Sequence, residues 1–543
     1  SNHLYQNDLE VHSLGREMGI PLYFKKVSHE LVDIVSEKKP VEKVGRLYLD
    51  FNCAIHYCCN RIKASTKPPE TDEEFEWELI EACKAYILKL KEYVQPEELV
   101  YVSIDGVVPM AKITQQRKRR FFSDFTKRGT VQWNSNAITP GTKFMTSLIR
   151  ELNLFAQHCE FDIIIDAERG EGEHKICHHI RNSKAEGEEL LDVIYGLDAD
   201  MILLTMLSPN ANKTYLLREH VKDPTILVYM NIHNTRNQIY EQFSHLIQDH
   251  TSSKELITQC YILLTFFLGN DFLPNLSYIS LRSNGLSVLM EAYKKTHKQL
   301  KTHILENEGA DIRINYDFLK QFLSTLSNNE DQLFFEQERA YYNTNNHTNR
   351  HSYRHKNNRD KGRRSVDDME NYPIENKFPE HINSNELGWR QNYYYHLFTK
   401  SSDTNIINIV CRTYLQGLDW LVSYYFKQET EWFWFYPYNY SPTIMDLSNY
   451  TMITTPSEYA ITEEYTHTIQ AIDQLLMVLP PSSLHLLPDA RYKRVCTDVS
   501  LGHSHLFPTK YDICTFMKYR LHECGSQGLF LHHPIQAEML LKT

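Results

Sequence analysis

The stretch RLYLDF, residues 46–51, reads as a buried β-strand that reaches an acidic residue, Asp50, at its end. Three later segments have the same apolar, β-rich character: LVYVSID (99–105), FDIIIDA (161–167) and LDVIYGLDAD (191–200). Helical periodicity fills the intervals between them, as in residues 74–94 and 141–159. Strands that alternate with helices favour parallel pairing, because crossover helices connect parallel neighbours. The sequence therefore predicts an α/β fold with a mostly parallel central sheet flanked by helices.

Carboxylates stand at or just beyond the ends of these predicted strands, and one more follows an apolar helix. They are Asp50, Asp105, Glu171, Glu173, Asp198, Asp200 and Asp271. The carboxyl ends of the strands in an open α/β sheet border one crevice, so we expect these side chains to share a site. A turn or a helix cap would explain any single acid, but not seven at matched positions. Hard oxygen ligands favour Mg²⁺ or Mn²⁺, and two such ions suit phosphodiester hydrolysis. The acids therefore predict a metal-dependent nuclease.

The segment RGEGEHK, residues 169–175, holds two of these acids between glycines. Carboxylates two positions apart repel each other, and glycine is a poor helix former, so local stability does not explain the pattern. Metal ligation explains it, because cations relieve the repulsion between Glu171 and Glu173. The glycines then let the backbone turn so that both carboxylates approach the ions.

A basic helix is predicted directly after Asp105, in residues 106–125. Four of its polar side chains fall within an arc of about 100° on one helix face. They are Lys112, Gln116, Arg119 and Arg120. An ammonium, an amide and two guanidiniums on one face predict a phosphate-binding pocket beside the acids. Arg117 and Lys118 fall elsewhere on the helix, and we expect them to be solvated or to touch backbone phosphates.

Composition narrows the class of protein. The chain has 543 residues, a net charge of −11 and 12% aromatic residues, which fit a globular protein with an ample core. No apolar run reaches membrane-spanning length, so no membrane association is expected. Eleven cysteines without a C-x-x-C pair suit neither a disulfide framework nor a zinc site, and favour a reducing compartment.

Changes in composition along the chain predict its organisation. Four parts are expected: an expression remnant or disordered segment at 1–17, a nuclease domain at 18–335, a basic polar linker at 336–375, and a helical second region at 376–543 that completes the active-site pocket. Residues 343–364 contain no aliphatic side chain. We favour a solvated spacer there, with an RNA-gripping arm or a nuclear-import signal at 350–364 as alternatives.

Two groups of segments in the chain resemble segments of a known family. The first group of matching segments is MGIPLYFKKVS, LYLDFNCAIHYC, SIDGVVPMAKITQQRKRRF, ITPGTKFM, GEGEHKI, YGLDADMILL and FFLGNDFLP. The second group is GWRQNYYYHLF, GLDWLVSYYF, WFWFYPYNYSP and LLMVLPPSSLHLLP. In content and order they are similar to the Xrn-type 5′→3′ exoribonucleases, over nearly the whole chain after Met18. We expect a compact member without the large C-terminal extensions of the cytoplasmic relatives. The segments CAIH and ERGEGEH depart from the family pattern, but remove no ligand.

The resemblance implies a core related to the PIN and flap-endonuclease fold, in which the seven acids bind two Mg²⁺ ions that Mn²⁺ can replace. It implies that the basic face reads a 5′-monophosphate, and that His56 and Trp434 stack on bases of the substrate. On chemistry alone, both residues would more often be packed in the protein. The implied activity is processive hydrolysis of 5′-monophosphorylated single-stranded RNA to nucleoside 5′-monophosphates, in mRNA decay. The expected protein is a cytoplasmic monomer, nuclear if 350–364 is an import signal, with decapping factors or helicases as candidate partners.

Two other functions stay open. A flap endonuclease or other structure-specific 5′ nuclease acting on DNA would share the metal site. Such proteins follow the last aspartate with a glycine-rich helical hairpin, and residues 269–289 lack that pattern. A catalytically inactive RNA-binding scaffold is the second alternative, but a scaffold has no use for seven clustered carboxylates.

Overall fold

The computed structural model describes residues 23–126, 133–183, 190–220, 223, 225–308, 311–340, 375–376, 382–399, 404–461, 467–498 and 502–509, with separate short pieces between 511 and 540. The segment expected to be an expression remnant or disordered, 1–17, lies outside the described residues. So do residues 341–374 of the linker predicted at 336–375, including its basic segment. A helix at 330–340 crosses the predicted start of that linker.

A seven-stranded sheet forms the centre of the fold, in the order β1-β7-β6-β5-β2-β3-β4. Its strands are β1 (Val35–Ser36), β2 (Val44–Asp50), β3 (Leu99–Ser103), β4 (Ile163–Asp166), β5 (Leu191–Tyr195), β6 (Thr214–Glu219) and β7 (Leu227–Asn231). The five strands from β6 to β4 are parallel, whereas β7 runs antiparallel to β6, and β1 antiparallel to β7. The predicted mostly parallel sheet is confirmed.

The predicted strand at 191–200 is too long, because it ends at Tyr195. Asp198 accepts a hydrogen bond from the backbone N–H of Asp200 and caps the next helix. Residues 199 and 200 are therefore helical. This shortening matters for function, since it places Asp198 and Asp200 beyond the sheet and not within it.

Alternate side chains of the central strands enter two separate cores. Leu47 and Leu49 of β2 join one apolar cluster, and Tyr48 joins another on the opposite face. Val193 and Ile194 of β5 divide in the same way. All seven residues of β2 are buried, as expected for a parallel strand with helices on both faces.

Helices cover both faces of the sheet and form most of the second region. They are α1 (Tyr23–Glu30), α2 (Phe51–Lys63), α3 (Asp72–Val94), α4 (Met110–Thr126), α5 (Lys143–Gln157), α6 (Gly172–Asn182), α7 (Ala199–Met206), α8 (Ile232–Ile247), α9 (Lys254–Phe266), α10 (Gly285–Leu300), α11 (Tyr316–Ser327), α12 (330–340), α13 (Trp389–Tyr394), α14 (Thr404–Val422), α15 (Ile444–Ile453), α16 (Ala471–Val478) and α17 (Ala490–Thr497). Helices α2, α3 and α5 pack in the cluster that contains Leu47. None of the described helices is both long and apolar enough to span a bilayer.

Two small sheets complete the structure. Strands β8 (Leu305–Glu308) and β9 (Asp311–Ile314) pair antiparallel. Near the C-terminus, β10 (Glu375–Asn376) pairs parallel to β11 (Ile513–Cys514), which in turn pairs antiparallel to β12 (Gly525–Ser526).

Arg117 joins the basic helix α4 to the second region. Its guanidinium is 1% exposed and donates hydrogen bonds to three backbone carbonyls, those of Leu529 (2.8 Å), Met477 (2.7 Å) and Leu506 (2.7 Å). Burial lowers the pKa of Arg117 to about 10. The expectation that this residue is solvated or touches backbone phosphates is wrong, because its buried guanidinium holds C-terminal segments of the chain against α4.

Candidate active site

The predicted acids stand at the carboxyl edge of the parallel strands. Asp50 is the last residue of β2, and Asp105 follows β3 by two residues. Five of the seven side chains are buried, with at most 7% of each exposed, and the other two are half-buried. The five are Asp50, Glu171, Glu173, Asp198 and Asp200.

The glycines of RGEGEHK fit two different needs of the backbone. Gly170 has a φ of +114°, a conformation that glycine adopts far more easily than other residues. Gly172 begins α6, and its N–H donates to Asp105 Oδ1 at 2.7 Å. A Cβ added at this position would lie 3.0 Å from Asp50 Oδ1 and 3.3 Å from Asp105 Oδ1. Gly172 therefore lets the backbone carrying both glutamates approach two aspartates closely.

Lys112 connects the basic helix with the acids. Its Nζ lies 2.6 Å from Glu171 Oε2 and 2.9 Å from Asp271 Oδ2, and its side chain is buried. Burial opposes the charge of Lys112, but the neighbouring carboxylates, Glu171 foremost, raise its pKa well above the ordinary value. One residue of the predicted phosphate pocket is therefore part of the acid cluster itself.

Burial and mutual repulsion raise the pKa of several of the acids. Burial, reinforced by the charge of Asp105, raises the pKa of Asp50 to about 7. Burial and the charge of Asp271 raise the pKa of Asp198 to about 6. The pKa values of Glu173 and Asp200 are well above their ordinary range for the same reasons. The ionised cluster is thus unfavourable unless further positive charge enters it.

The donor set fits a divalent cation. Asp198 Oδ2 and Asp200 Oδ1 are buried and accept no hydrogen bond from the described residues. Buried oxygens of this kind are costly unless a cation or another donor satisfies them. Glu171, Glu173 and His174 each offer a ligand atom, and these atoms lie within 4.8 Å of one another. A cluster dominated by carboxylates suits a hard divalent ion.

Two tyrosines of the second region orient the acids, and sequence reasoning missed both. Tyr424 donates its hydroxyl hydrogen to Glu171 Oε1, and Tyr425 donates to Asp200 Oδ2 at 2.8 Å. Both lie in a π-helical turn, Ser423–Lys427, directly after α14. The ring of Tyr424 stacks on Trp420, with centroids 4.6 Å apart. The adjacent tyrosines in GLDWLVSYYF were the available signal, but nothing in that segment tells which acids they reach.

The remaining residues of the predicted phosphate pocket lie on α4 at different depths. Gln116 is buried and accepts a hydrogen bond from Gln474 at 3.4 Å, whereas Arg119 is exposed. Arg120 is half-buried and donates to the Thr139 hydroxyl. Burial and the charge of Arg119 lower the pKa of Arg120 to about 9. Lys112 contacts the acids directly, and phosphate binding by these four residues stays a prediction.

The two predicted stacking residues occupy contrasting positions. His56 lies in α2, with an exposed side chain. Trp434 is 8% exposed, and its ring stacks on Trp420 with centroids 5.4 Å apart. The neighbouring Trp432 instead packs against Arg169, whose Cζ lies 3.6 Å from the centroid of the Trp432 ring. A cleft of about 590 Å³ opens beside this pair and reaches Glu171. Base stacking by His56 and Trp434 stays a prediction.

The fold and the site define a class: an α/β protein with a carboxylate site for divalent cations at the edge of its sheet. Comparison with known families extends this conclusion. A family described as "XRN 5′-3′ exonuclease N-terminus" matches residues 18–220, and the "Xrn1 helical domain" matches 252–381 and 343–515. The chain belongs to the Xrn family, and the predicted resemblance is confirmed. Six of the acids fall in the first match and Asp271 in the second.

Relatives from several eukaryotes are similar to this chain over most of its length. The 5′-3′ exoribonuclease 2 of Debaryomyces hansenii is 24% identical, over 91% of this chain and 67% of its own. The 5′-3′ exoribonuclease 1 of Schizosaccharomyces pombe is 25% identical, over 87% of this chain and 44% of its own. The human 5′-3′ exoribonuclease 1 is 27% identical, over 89% of this chain and 31% of its own. The chain thus spans between about a third and two thirds of the length of these relatives.

Among solved structures, the catalytic core of Rad2 in complex with DNA is similar over 57% of this chain and 81% of that one, with 15% identity and a TM-score of 0.33. The T5 D15 protein co-crystallised with metal ions matches 54% of this chain and 87% of that one, with 13% identity and a TM-score of 0.30. These overlaps are too limited to support conclusions about function. The fold assignment rests on the observed sheet and on the family.

Proposed function

We propose that this protein is a processive 5′→3′ exoribonuclease that hydrolyses 5′-monophosphorylated single-stranded RNA to nucleoside 5′-monophosphates with two Mg²⁺ ions, which Mn²⁺ can replace. The observation that carries the proposal is the position of Lys112. It belongs to the basic face of α4, and it also contacts Glu171 and Asp271. A terminal phosphate on that face therefore lies next to the acids, as cleavage of one nucleotide at a time requires.

The seven acids would hold the cations, with Glu171 and Asp200 oriented by Tyr424 and Tyr425. When bound, divalent ions neutralise such carboxylates, activate a water molecule and stabilise the departing oxygen of a phosphodiester. The buried oxygens of Asp198 and Asp200 that accept no hydrogen bond support this assignment.

The basic face of α4 would hold the 5′ end of the RNA. Lys112, Gln116, Arg119 and Arg120 offer charge-assisted hydrogen bonds to the oxygens of a terminal phosphate. Lys112 and Gln116 are buried, which limits the space for groups larger than a monophosphate. A cap or a triphosphate should therefore block the reaction.

The proposal extends to the path of the RNA and to the setting in the cell. His56 would stack on the first base and Trp434 on the other side of the substrate, because stacking tolerates every base. The proposal includes participation in mRNA decay as a cytoplasmic monomer, or a nuclear one if 350–364 is an import signal, with decapping factors or helicases as candidate partners.

End chemistry tests the proposal. RNAs of one sequence with a 5′-monophosphate, a 5′-hydroxyl or a cap are incubated with the protein and Mg²⁺, and rates are compared. We expect rapid loss of the monophosphorylated RNA only. Arg119→Gln should lower the ratio of monophosphate to hydroxyl rates about tenfold, since a hydrogen bond to a charged group contributes about 1.5 kcal/mol. Lys118→Gln, elsewhere on α4, is the matched control. Equal degradation of all three RNAs would contradict the phosphate pocket.

A further inference from the structure

A second group of metal-ligating side chains lies outside the acid cluster. Asp249 follows α8 by two residues, His297 stands in the last turn of α10, and His303 precedes β8. All three are buried, with 7–8% of each exposed. His303 Nε2 lies 3.0 Å from Asp249 Oδ2, and His297 Nε2 lies 3.8 Å from the same oxygen. The three ligand atoms are within 4.8 Å of one another.

In each imidazole, a hydrogen bond at Nδ1 orients Nε2 toward Asp249. His297 Nδ1 lies 2.8 Å from the carbonyl oxygen of Thr302. A carbonyl only accepts, so the proton of neutral His297 is on Nδ1 and Nε2 carries a lone pair. His303 Nδ1 lies 2.9 Å from the Tyr293 hydroxyl. A hydrogen bond at the second ring nitrogen is the usual support of a metal-ligating histidine.

Hydrogen bonds from its own loop hold the Asp249 carboxylate in place beside the two imidazoles. Ser252 donates its hydroxyl hydrogen to Asp249 Oδ2 at 2.7 Å, and the backbone N–H and the hydroxyl of Thr251 donate to Oδ1, both at 2.9 Å. Oδ2 lies 3.8 Å from His297 Nε2, a separation at which one cation can contact both atoms.

We propose that Asp249, His297 and His303 bind a structural zinc ion that ties together the end of α8, the end of α10 and the start of β8. Zinc bonds of about 2.0 Å in a tetrahedral arrangement separate the ligand atoms by about 3.3 Å. The observed separations of 3.0 and 3.8 Å from Asp249 Oδ2 lie on either side of that value. Two nitrogens and one carboxylate oxygen suit zinc better than magnesium.

Binding requires one proton rearrangement. If His303 donates from Nε2 to Asp249 in the metal-free protein, that proton leaves to solvent or moves to Nδ1. The Tyr293 hydroxyl can then accept a hydrogen bond from Nδ1–H. A water molecule can supply the fourth ligand.

Zinc content and stability test the proposal. The protein is stripped with a chelator and dialysed, and then Zn²⁺ is added without Mg²⁺. We expect one zinc ion per chain in addition to any held by the acid cluster, and a Tm several degrees higher, because the ion binds the folded state. His297→Gln should lose both effects and keep its nuclease rate in Mg²⁺. His245→Gln, an exposed histidine in the last turn of α8, is the matched control.

Two further measurements keep the outcome decisive. Co²⁺ in the stripped wild-type protein should give the visible absorption of a tetrahedral site, which settles the matter even if His297→Gln fails to fold. An Asp198→Asn, Asp200→Asn variant should keep the zinc ion that His297→Gln loses, which separates this site from the acid cluster. If the wild type holds no more zinc than His297→Gln, or gives no tetrahedral Co²⁺ spectrum, the three residues form only a hydrogen-bonded network and the proposal fails.

Discussion

Asp198 and Asp249 are both buried carboxylates that border helices, and their surroundings differ. Asp198 accepts one hydrogen bond, from the Asp200 N–H at 3.2 Å, and its other oxygen is buried without a donor from the described residues. Burial and the charge of Asp271 raise its pKa to about 6. Asp249 accepts hydrogen bonds at both oxygens, and its pKa is lowered despite its burial. Its neighbours are imidazoles and not carboxylates.

The difference shows that burial alone does not set the charge of a carboxylate; the neighbouring donors do. Asp198 belongs to a group of acids that repel one another when they are ionised. Bound cations favour their full ionisation, as expected of a site for hard divalent ions. Asp249 is ionised by its own loop and faces two ring nitrogens. Such a site can hold a softer ion for structural purposes.

The largest effect should come from removing both aspartates of α7. Asp198→Ala with Asp200→Ala should lower the rate of RNA hydrolysis by about 10³-fold or more, which corresponds to about 4 kcal/mol of activation free energy. Single-turnover degradation of labelled RNA measures the loss. Asp162→Ala changes an exposed acid directly before β4, away from the carboxyl edge, and should keep full activity. Undiminished hydrolysis by the double variant would show that catalysis does not need Asp198 and Asp200. The proposed difference in role between the acid cluster and the Asp249 site would then fail.

A smaller effect is expected from the close approach at Gly172. Gly172→Ala places a Cβ 3.0 Å from Asp50 Oδ1, so the two aspartates or α6 must shift. We expect the rate to fall about 10–100-fold, as when the support of a metal ligand is disturbed. The comparison variant is Gly196→Ala, whose Cβ would meet Met201 Cε at 3.4 Å and Asp50 Cβ at 3.6 Å, ordinary van der Waals contacts that require no shift of the acid. Equal rates for the two variants would show that the spacing of the acids is not critical.

Removing one orienting hydroxyl should have a milder effect. Tyr425→Phe deletes the hydrogen bond to Asp200 Oδ2 and keeps the ring. Because the carboxylate itself stays, we expect about a tenfold loss of rate and a higher Mg²⁺ concentration at half-maximal activity. Tyr438→Phe, a half-buried tyrosine of the same region, serves as the control. If the Mg²⁺ dependence does not move, Tyr425 does not orient a ligand.

The smallest effect concerns stability. The pKa of Asp50 is raised to about 7 from an ordinary value of 3.8, so its ionised form is disfavoured in the fold. The metal-free protein should therefore lose stability as the pH rises from about 4 to 7, and Asp50→Asn should lose less. Thermal unfolding with a chelator present should give the variant the higher Tm at pH 8 and a smaller advantage at pH 5. A lower Tm for the variant at pH 8 would contradict the raised pKa.

Local sequence patterns were sufficient for the sheet and for the acids. Strand periodicity identified β2 to β5, and the acids follow directly because each stands next to the strand or helix that positions it. The boundary of β5 was missed because the strand pattern of residues 191–200 continues into the cap of α7. Asp198 caps that helix through a hydrogen bond that the pattern does not reveal.

Contacts between distant parts of the chain could not be predicted in this way. Tyr424 and Glu171 are 253 positions apart, and Tyr425 and Asp200 are 225 apart. In the sequence, Arg117 looks like a solvated cation. Its role depends on carbonyl partners that are 360 or more positions away, and local patterns do not identify them. Asp249 and His303 are 54 positions apart in the sequence and 3.0 Å apart in the fold, so the spacing of cysteines gave no indication of this pair.

The most direct test of the central claim follows both ends of one RNA. A 5′-monophosphorylated RNA with one label in its first nucleotide and another at its 3′ end is incubated with the protein, with and without Mg²⁺. We predict that the 5′ label appears at once as a nucleoside 5′-monophosphate, while the 3′ label stays in long RNA, and that neither changes without the metal. Release of internal oligonucleotides, early loss of the 3′ label, or equal activity without divalent cations would contradict a metal-dependent 5′→3′ exoribonuclease.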